Sequence, residues 1–307
     1  MAGPFTWSWS RYQTWAGCPR RFWLSVYQAP QAKAAGPGSP AFEVWIQRNL
    51  LGRAQWIGLA AHQAAEWYLK ATVEGRPVQV EGVVGRALSQ ARRTIEHSST
   101  EMYRGDPKAF RGFDAHYYEK SFDGTAALAD LEAAVRKLLD HPVLARLTEV
   151  PERVREIERF SRLRLWGVDV WLSPDVVVED GAGGFVVVDW KTGRHHQDDV
   201  VDGQLGLYAL YVLDRYTNTR VDRGGPLPLD RVKGLVATLG DPPFRNRSLT
   251  PADVEATRQA ILGSITAMRG EQVSAEGEVP PESAFPKVRE GDPRCSWCSF
   301  RRTCQRE

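Results

Sequence analysis

Long apolar runs are missing from this 307-residue chain. No stretch approaches the roughly 20 consecutive apolar residues that a membrane helix requires, so no membrane partner is expected. The opening residues also lack the basic-then-apolar pattern of a secretory leader, and the expected compartment is the cytoplasm. Nor does one sign of charge dominate. With 40 Lys and Arg against 38 Asp and Glu, the net charge is only +2. A polyanion-binding surface must therefore come from local clusters, such as Arg153, Arg155, Arg159, Arg162 and Arg164, or Arg301, Arg302 and Arg306. Such runs are also ordinary on a solvated face, so charge permits nucleic-acid binding without arguing for it. Internal repeats and low-complexity blocks are absent too, which excludes solenoids and arrays. Cysteine is scarce, four in the whole chain. Three of them, Cys295, Cys298 and Cys304, crowd the C-terminal end, while Cys18 stands near the start. In a reducing compartment this placement favours a metal or cluster over disulfides.

What is present reads as an ordinary globular composition, 42% hydrophobic and 25% charged, with ample material for a core. Residues 8–27 form an aromatic-rich helical opening, and the Gly/Pro/Ser stretch from Ala34 to Pro40 breaks it. Helical spacing resumes over 41–72 and again over 83–145, with interruptions at Gly105-Asp106-Pro107 and His141-Pro142. From Val154 to Trp190 valines, aromatics and alternation signal strands. Helix returns at 201–215, a strand at 231–239, and a helix at 251–269 with Pro251 in its first turn. A Pro-rich connector, 279–293, leads into the cysteines. This order predicts a mixed α/β (α+β) fold: one domain over 1–307, a central mixed sheet flanked by helices, and a helical insertion over 73–150.

The chemistry gathers on one hairpin. Val176-Val177-Val178 and Phe185-Val186-Val187-Val188 flank the turn signal Glu179-Asp180-Gly181-Ala182-Gly183-Gly184. Folding there brings Asp175, at the start of one strand, opposite Asp189, at the end of the other, within about 5 Å at Cβ if directly paired. Lys191 follows Asp189 by two residues and so points to the same face. Two carboxylates and an ammonium at a rigid hairpin end suit Mg²⁺, which takes one or two carboxylates and keeps oxygens from water and phosphate. The Trp190 carbonyl offers a further oxygen. A D-x-K triplet alone is commonly just an exposed strand end with a surface ion pair. Here the next helix adds Gln204 and Tyr208, four apart on one face, and an upstream helix adds His62 with Glu66. Each alone is as readily a packed structural residue.

Together, Gly58…His62, Pro174-Asp175, Asp189-Trp190-Lys191-Thr192-Gly193 and Gln204-x-x-x-Tyr208 resemble the RecB-like branch of the PD-(D/E)XK superfamily. That branch includes RecB and AddB nuclease domains and CRISPR-associated exonucleases. The resemblance implies a restriction-endonuclease-like core in which His62, Asp175 and Asp189 bind Mg²⁺ or Mn²⁺, with the Trp190 carbonyl as the further oxygen that the hairpin offers. It further implies that Lys191 is catalytic and that Gln204 and Tyr208 support the site and contact DNA. It spans roughly residues 55–210, although 73–150 match nothing in it. Asp169, in Trp166-Gly167-Val168-Asp169, is an alternative first acid. It would lie about 20 Å from Asp175 along a fully extended strand, which favours Asp175.

Cys295-x-x-Cys298-x5-Cys304 could be part of a zinc site. Combined with Cys18, and with the flanks Cys18-Pro19-Arg20-Arg21-Phe22 and Trp297-Cys298-Ser299-Phe300-Arg301, it resembles the [4Fe–4S] arrangement of AddB and the CRISPR-associated exonucleases. Four thiolates suit either metal, so zinc stays open. The expected role is a structural clasp between the two chain ends. The implied function is a metal-dependent DNA exonuclease or end-processing enzyme acting on single-stranded or frayed ends. Some of the 11 tryptophans, among them Trp7, Trp9, Trp15 and Trp23, are candidates for base stacking or core. The alternative is a catalytically silent DNA-binding or scaffold subunit of a repair or CRISPR-type complex. No helicase motif is present, so unwinding would require a helicase or another processing partner.

Overall fold

The computed structural model describes residues 5–192, 198–217, 227–240, 242–269 and 279–305. A short strand β1 (Thr6–Ser8) leads into helices α1 (Trp9–Gly17), α2 (Pro19–Trp23), α3 (Ala29–Ala34), α4 (Phe42–Asn49), α5 (Arg53–Val73) and α6 (Val80–Ser99). Then come α7 (Asp114–Tyr117), α8 (Gly124–Leu139) and α9 (Pro142–Glu149). The strands follow: β2 (Val154–Ile157), β3 (Ser161–Leu165), β4 (Val168–Leu172), β5 (Val176–Glu179) and β6 (Phe185–Lys191). After α10 (Asp198–Thr217), strands β7 (Val232–Thr238) and β8 (Phe244–Ser248) precede α11 (Pro251–Arg269) and α12 (Arg301–Cys304). The fold is mixed α/β, as the order of signals in the sequence predicts. Among the described residues, no helix is long and apolar enough to cross a membrane.

The chain divides into two compact units. One comprises Met1–Trp56, Gln90–Ala127 and Ser264–Glu307. Its core is aromatic, with Trp7, Phe22, Tyr103, Phe113, Tyr117 and Phe285 fully buried. The Trp7 indole donates to Ser264 Oγ at 2.9 Å and the Trp23 indole to the Pro280 carbonyl at 2.8 Å. These two tryptophans are therefore packing elements, not stacking platforms. The single helix expected over 41–72 is broken at Leu50–Gly52. There Leu51 donates to the Gly112 carbonyl (2.9 Å) and accepts from Asp114 N–H (3.0 Å), so its backbone bonds across to a loop instead of up a helix. The Gly/Pro/Ser break holds Gly36 and Gly38 at φ 77° and 84°, a conformation that ends helices.

The second unit, Ile57–Ser89 and Leu128–Gly263, holds a five-stranded sheet in the order β2-β5-β6-β7-β8. Pairings are antiparallel except for β6 with β7, which run parallel around the crossover helix α10. The hairpin turn is built as its residues demand: Asp180 Oδ1 accepts from the Ala182 and Gly184 amides (2.9 and 2.8 Å), and Gly181 and Gly183 take φ 79° and 86°. Strand β8 escaped the sequence reading because Phe244-Arg245-Asn246-Arg247-Ser248 is polar and lies at the sheet edge. Strands β3 and β4 form a second hairpin whose buried face carries Leu163, Val168, Val170 and Leu172.

Helix α10 fits closely against its neighbours because it carries a glycine at the contact. A Cβ on Gly206 would stand 2.1 Å from Thr257 Oγ1 on α11, and that hydroxyl is already bonded to the Asp253 carbonyl. Gly206→Ala should destabilise the protein by about 1–3 kcal/mol through overpacking. Gly263→Ala, at an exposed helical position with open space, should be neutral or stabilise by about 0.5–1 kcal/mol. Urea denaturation of both variants checks the pair, and equal stability would contradict the close contact.

Candidate active site

Sheet register puts three carboxylates in one row. Val176 pairs with Val188, so the next step along the hairpin sets Asp175 opposite Asp189. On the other flank Ile157 pairs with Val176, and the next residue, Glu158, donates its backbone N–H to the Asp175 carbonyl at 2.9 Å. Glu158, Asp175 and Asp189 therefore line up across the ends of β2, β5 and β6. Nothing in the local sequence pattern singles out Glu158. The same pairing logic that joined Asp175 to Asp189 would have found it, had the β2 register been legible. Glu158 sits at φ 47°, a left-handed conformation costing a non-glycine residue about 1–2 kcal/mol.

Helix α5 brings His62 to this row. Its Nδ1 lies 3.7 Å from Glu158 Oε1 and 3.8 Å from Asp175 Oδ2. One turn earlier, a Cβ on Gly58 would come within 2.9 Å of Thr192 Oγ1 just past β6, so glycine permits the approach. His62, Glu66, Glu158, Asp175 and Trp190 line a common pocket. Lys191 Nζ stands 2.6 Å from Asp189 Oδ2 and donates to Gln204 Oε1 at 3.0 Å. The Gln204 amide donates to the Tyr208 hydroxyl (2.7 Å), which donates to the Ser173 carbonyl (3.2 Å). This chain of bonds fixes the amide orientation, because an ammonium can only donate. Trp190 donates its backbone N–H to Asp175 Oδ2 at 2.6 Å, and its ring meets His141 edge-to-face. Asp169 is engaged elsewhere, 3.1 Å from Arg164 and 3.4 Å from Arg162. Gly193 and Arg306 lie outside the described residues.

The electrostatics are those of a site with too much negative charge. Burial pushes the Asp175 carboxyl above its ordinary range, and the charges of Asp189 and Glu158 push it further, against His62 and the Trp190 N–H. Burial depresses His62, but its bond to Glu158 and the nearby Asp175 and Asp189 charges more than reverse this, leaving it raised. Tyr208 is raised well above the usual tyrosine value by burial and by the Asp175 and Asp189 charges. One ligand atom each from His62, Glu158 and Asp175 all fall within 4.8 Å of one another. Clustered carboxylate oxygens with one imidazole fit a hard divalent cation, which would relieve the repulsion recorded in Asp175.

The four cysteines meet in the other unit. Cys18 caps α2, its sulfur accepting from the Arg21 N–H at 3.5 Å. All four line one cavity that opens to solvent, with Arg21, Lys287 and Arg301 also on its wall. Arg294 Nη1 donates to the Gly17 carbonyl (2.6 Å), and Arg20 Nε to the Phe285 carbonyl (2.9 Å), tying the N-terminal helices to the C-terminal segment. Burial raises the Cys298 thiol above its usual value, against the Phe300 backbone N–H. No disulfide joins any of the four.

A family model described as the PD-(D/E)XK nuclease superfamily matches residues 6–305. The chain belongs to this superfamily. No curated protein matches it. Among solved structures, one titled "Crystal structure of SSO0001" is similar at 15% identity and a TM-score of 0.32, covering 62% of this chain and 77% of that one.

The raised Asp175 and His62 have one sign of consequence for stability. Both hold a proton more tightly folded than unfolded, so their contribution is complete at low pH and is lost as pH rises through the folded values. With divalent ions chelated, the melting temperature should fall between about pH 5 and about pH 8, and Asp175→Asn should flatten that fall. Calorimetry across this range checks it. A melting temperature that climbs toward neutral pH, or an equal fall in Asp175→Asn, would contradict the assignment.

Proposed function

We propose that this protein is a metal-dependent DNA nuclease of the RecB-like branch, processing single-stranded or frayed ends. The observation that carries the reading is the row Glu158–Asp175–Asp189 with Lys191 held 2.6 Å from Asp189. Asp175, Asp189 and His62, with the Trp190 carbonyl, are the proposed holders of Mg²⁺ or Mn²⁺. Such an ion, when bound, polarises a phosphodiester and lowers the pKa of a coordinated water. Lys191 is the proposed catalytic cation, orienting the attacking water and balancing charge that grows on the phosphate. Gln204 aims the ammonium, and Tyr208 anchors Gln204 to the backbone two residues before Asp175. A binding or scaffold subunit would need no such relay. Unwinding of duplex falls to a partner such as a helicase.

Cys18, Cys295, Cys298 and Cys304 are the proposed ligands of a structural [4Fe–4S] cluster. All four line one cavity, and its Arg21, Lys287 and Arg301 wall suits the negative charge of an iron–sulfur cluster.

Lys191→Ala should lower degradation of end-labelled single-stranded DNA by about 100-fold or more while leaving the melting temperature within a few degrees. Retention of wild-type degradation by this variant would show that the mechanism is wrong. Anaerobically purified protein should be brown, with iron and sulfide in cluster stoichiometry, and Cys298→Ser should bleach it. A colourless protein carrying one zinc would replace the cluster with a zinc clasp.

A further inference from the structure

The β3–β4 hairpin presents a face that the core does not use. Its inner face buries Leu163, Val168, Val170 and Leu172. Its outer face carries Arg162 opposite Trp171 and Arg164 opposite Asp169. Phe160, just before β3, is 69% exposed, and its ring lies flat on Trp171, with centroids 4.8 Å apart and planes 5° from parallel. A phenylalanine left this open adds almost nothing to burial, yet it is held in a defined stack by a half-buried indole. The guanidinium groups of Arg162 and Arg164 on this face are more than half exposed, while that of Arg159 lies 3.9 Å from the buried Glu156. Asp169 holds Arg162 and Arg164 in place at 3.4 and 3.1 Å and is the one acid of the outer face they share.

Resting on the nuclease reading above, we propose that Phe160 and Trp171 form a base-stacking platform for single-stranded DNA that leads the strand to the carboxylate row. Every base has a π-face, so an aromatic platform flanked by arginines binds single strands without reading their sequence. Duplex bases are already stacked on one another and have no face to give. The arginines match phosphates and not an apolar protein surface, which favours nucleic acid as the occupant. Placement agrees: Phe160 is two residues after Glu158, so their Cα atoms are at most about 7 Å apart. That separation is about one nucleotide step, so a strand with a base on Phe160 has a neighbouring phosphate within reach of Glu158.

The test is fluorescence anisotropy with labelled oligo(dT) and with a blunt duplex, divalent ions chelated so that binding is read apart from cleavage. Phe160→Ala should weaken oligo(dT) binding about fivefold or more, leave duplex binding and the melting temperature unchanged, and be rescued by Phe160→Tyr. The Arg162→Ala/Arg164→Ala pair should make the logarithmic salt dependence of oligo(dT) binding shallower, a readout that survives small losses of stability. Wild-type affinity in both Phe160→Ala and Trp171→Ala overturns the platform, and wild-type cleavage in the same preparations would leave the nuclease reading standing. An inactive wild type whose oligo(dT) binding still depends on Phe160 would do the reverse. Failure of the wild type to bind oligo(dT), or tighter binding to oligo(rU), overturns the assignment to single-stranded DNA.

Discussion

Three carboxylates held side by side, two of them nearly dry, are the constraint around which the sheet-bearing unit is arranged. Asp189 and Asp175 are 1% and 8% exposed, and Glu158 stands on the other side of Asp175. At 4–6 Å in a medium of low effective dielectric, like charges repel by several kcal/mol unless something answers them. The protein answers in part. Lys191 pairs with Asp189, His62 stands near both Glu158 and Asp175, and the Trp190 N–H bonds to Asp175. The remainder appears as a raised Asp175, and Glu158 beside it keeps a left-handed backbone. A divalent cation is the counterpart that this oxygen-rich donor set fits.

Holding the row requires that its cation stay where it is useful. A lysine has four rotatable bonds, and burying one beside an acid does not by itself aim it. Here Gln204 receives the ammonium, Tyr208 receives Gln204, and the Ser173 carbonyl receives Tyr208, so the ammonium is referenced to the same backbone that presents Asp175. The helix carrying this relay must lie tight on its neighbours. Gly234 allows Leu205 to sit on β7, and Gly206 leaves room for Thr257. Position is thus set by rigid elements and small residues, not by loop adaptation.

Much of this was legible in the sequence because turn chemistry is local. Asp180-Gly181-Ala182-Gly183-Gly184 specifies a hairpin, a hairpin specifies which residues face each other, and so Asp175, Asp189 and Lys191 converge from pattern alone. Gln204 and Tyr208 share a helix face for the same kind of reason. Glu158 was not legible, because its place depends on how β2 pairs with β5, a contact between segments separated by the whole β3–β4 hairpin and interrupted by a register shift near Val154 and Glu156. The break of the long helix at Leu51 was hidden likewise: it is caused by Gly112 and Asp114, which no local window around residue 51 contains. Strand β8 is polar at a sheet edge, where burial imposes no alternation to read.

The cysteine-bearing unit faces a different physical problem. It is assembled from three separate stretches of chain, Met1–Trp56, Gln90–Ala127 and Ser264–Glu307, so no run of local structure holds its pieces together. Ties between the first and last stretches include bonds of single side chains, Arg294 to Gly17, Arg20 to Phe285 and Glu282, Trp23 to Pro280 and Trp7 to Ser264, one backbone bond from Arg20 to Pro286, and the packing of Phe22 and Tyr27 on Phe285. Individually each bond contributes about 1 kcal/mol, while bringing the chain ends together costs the closure entropy of a loop nearly as long as the protein. That cost grows only logarithmically with length, so one strong multidentate junction can offset it where scattered hydrogen bonds would fray. Four thiols around one cavity, one from the first stretch and three from the last, stand where such a junction does the most.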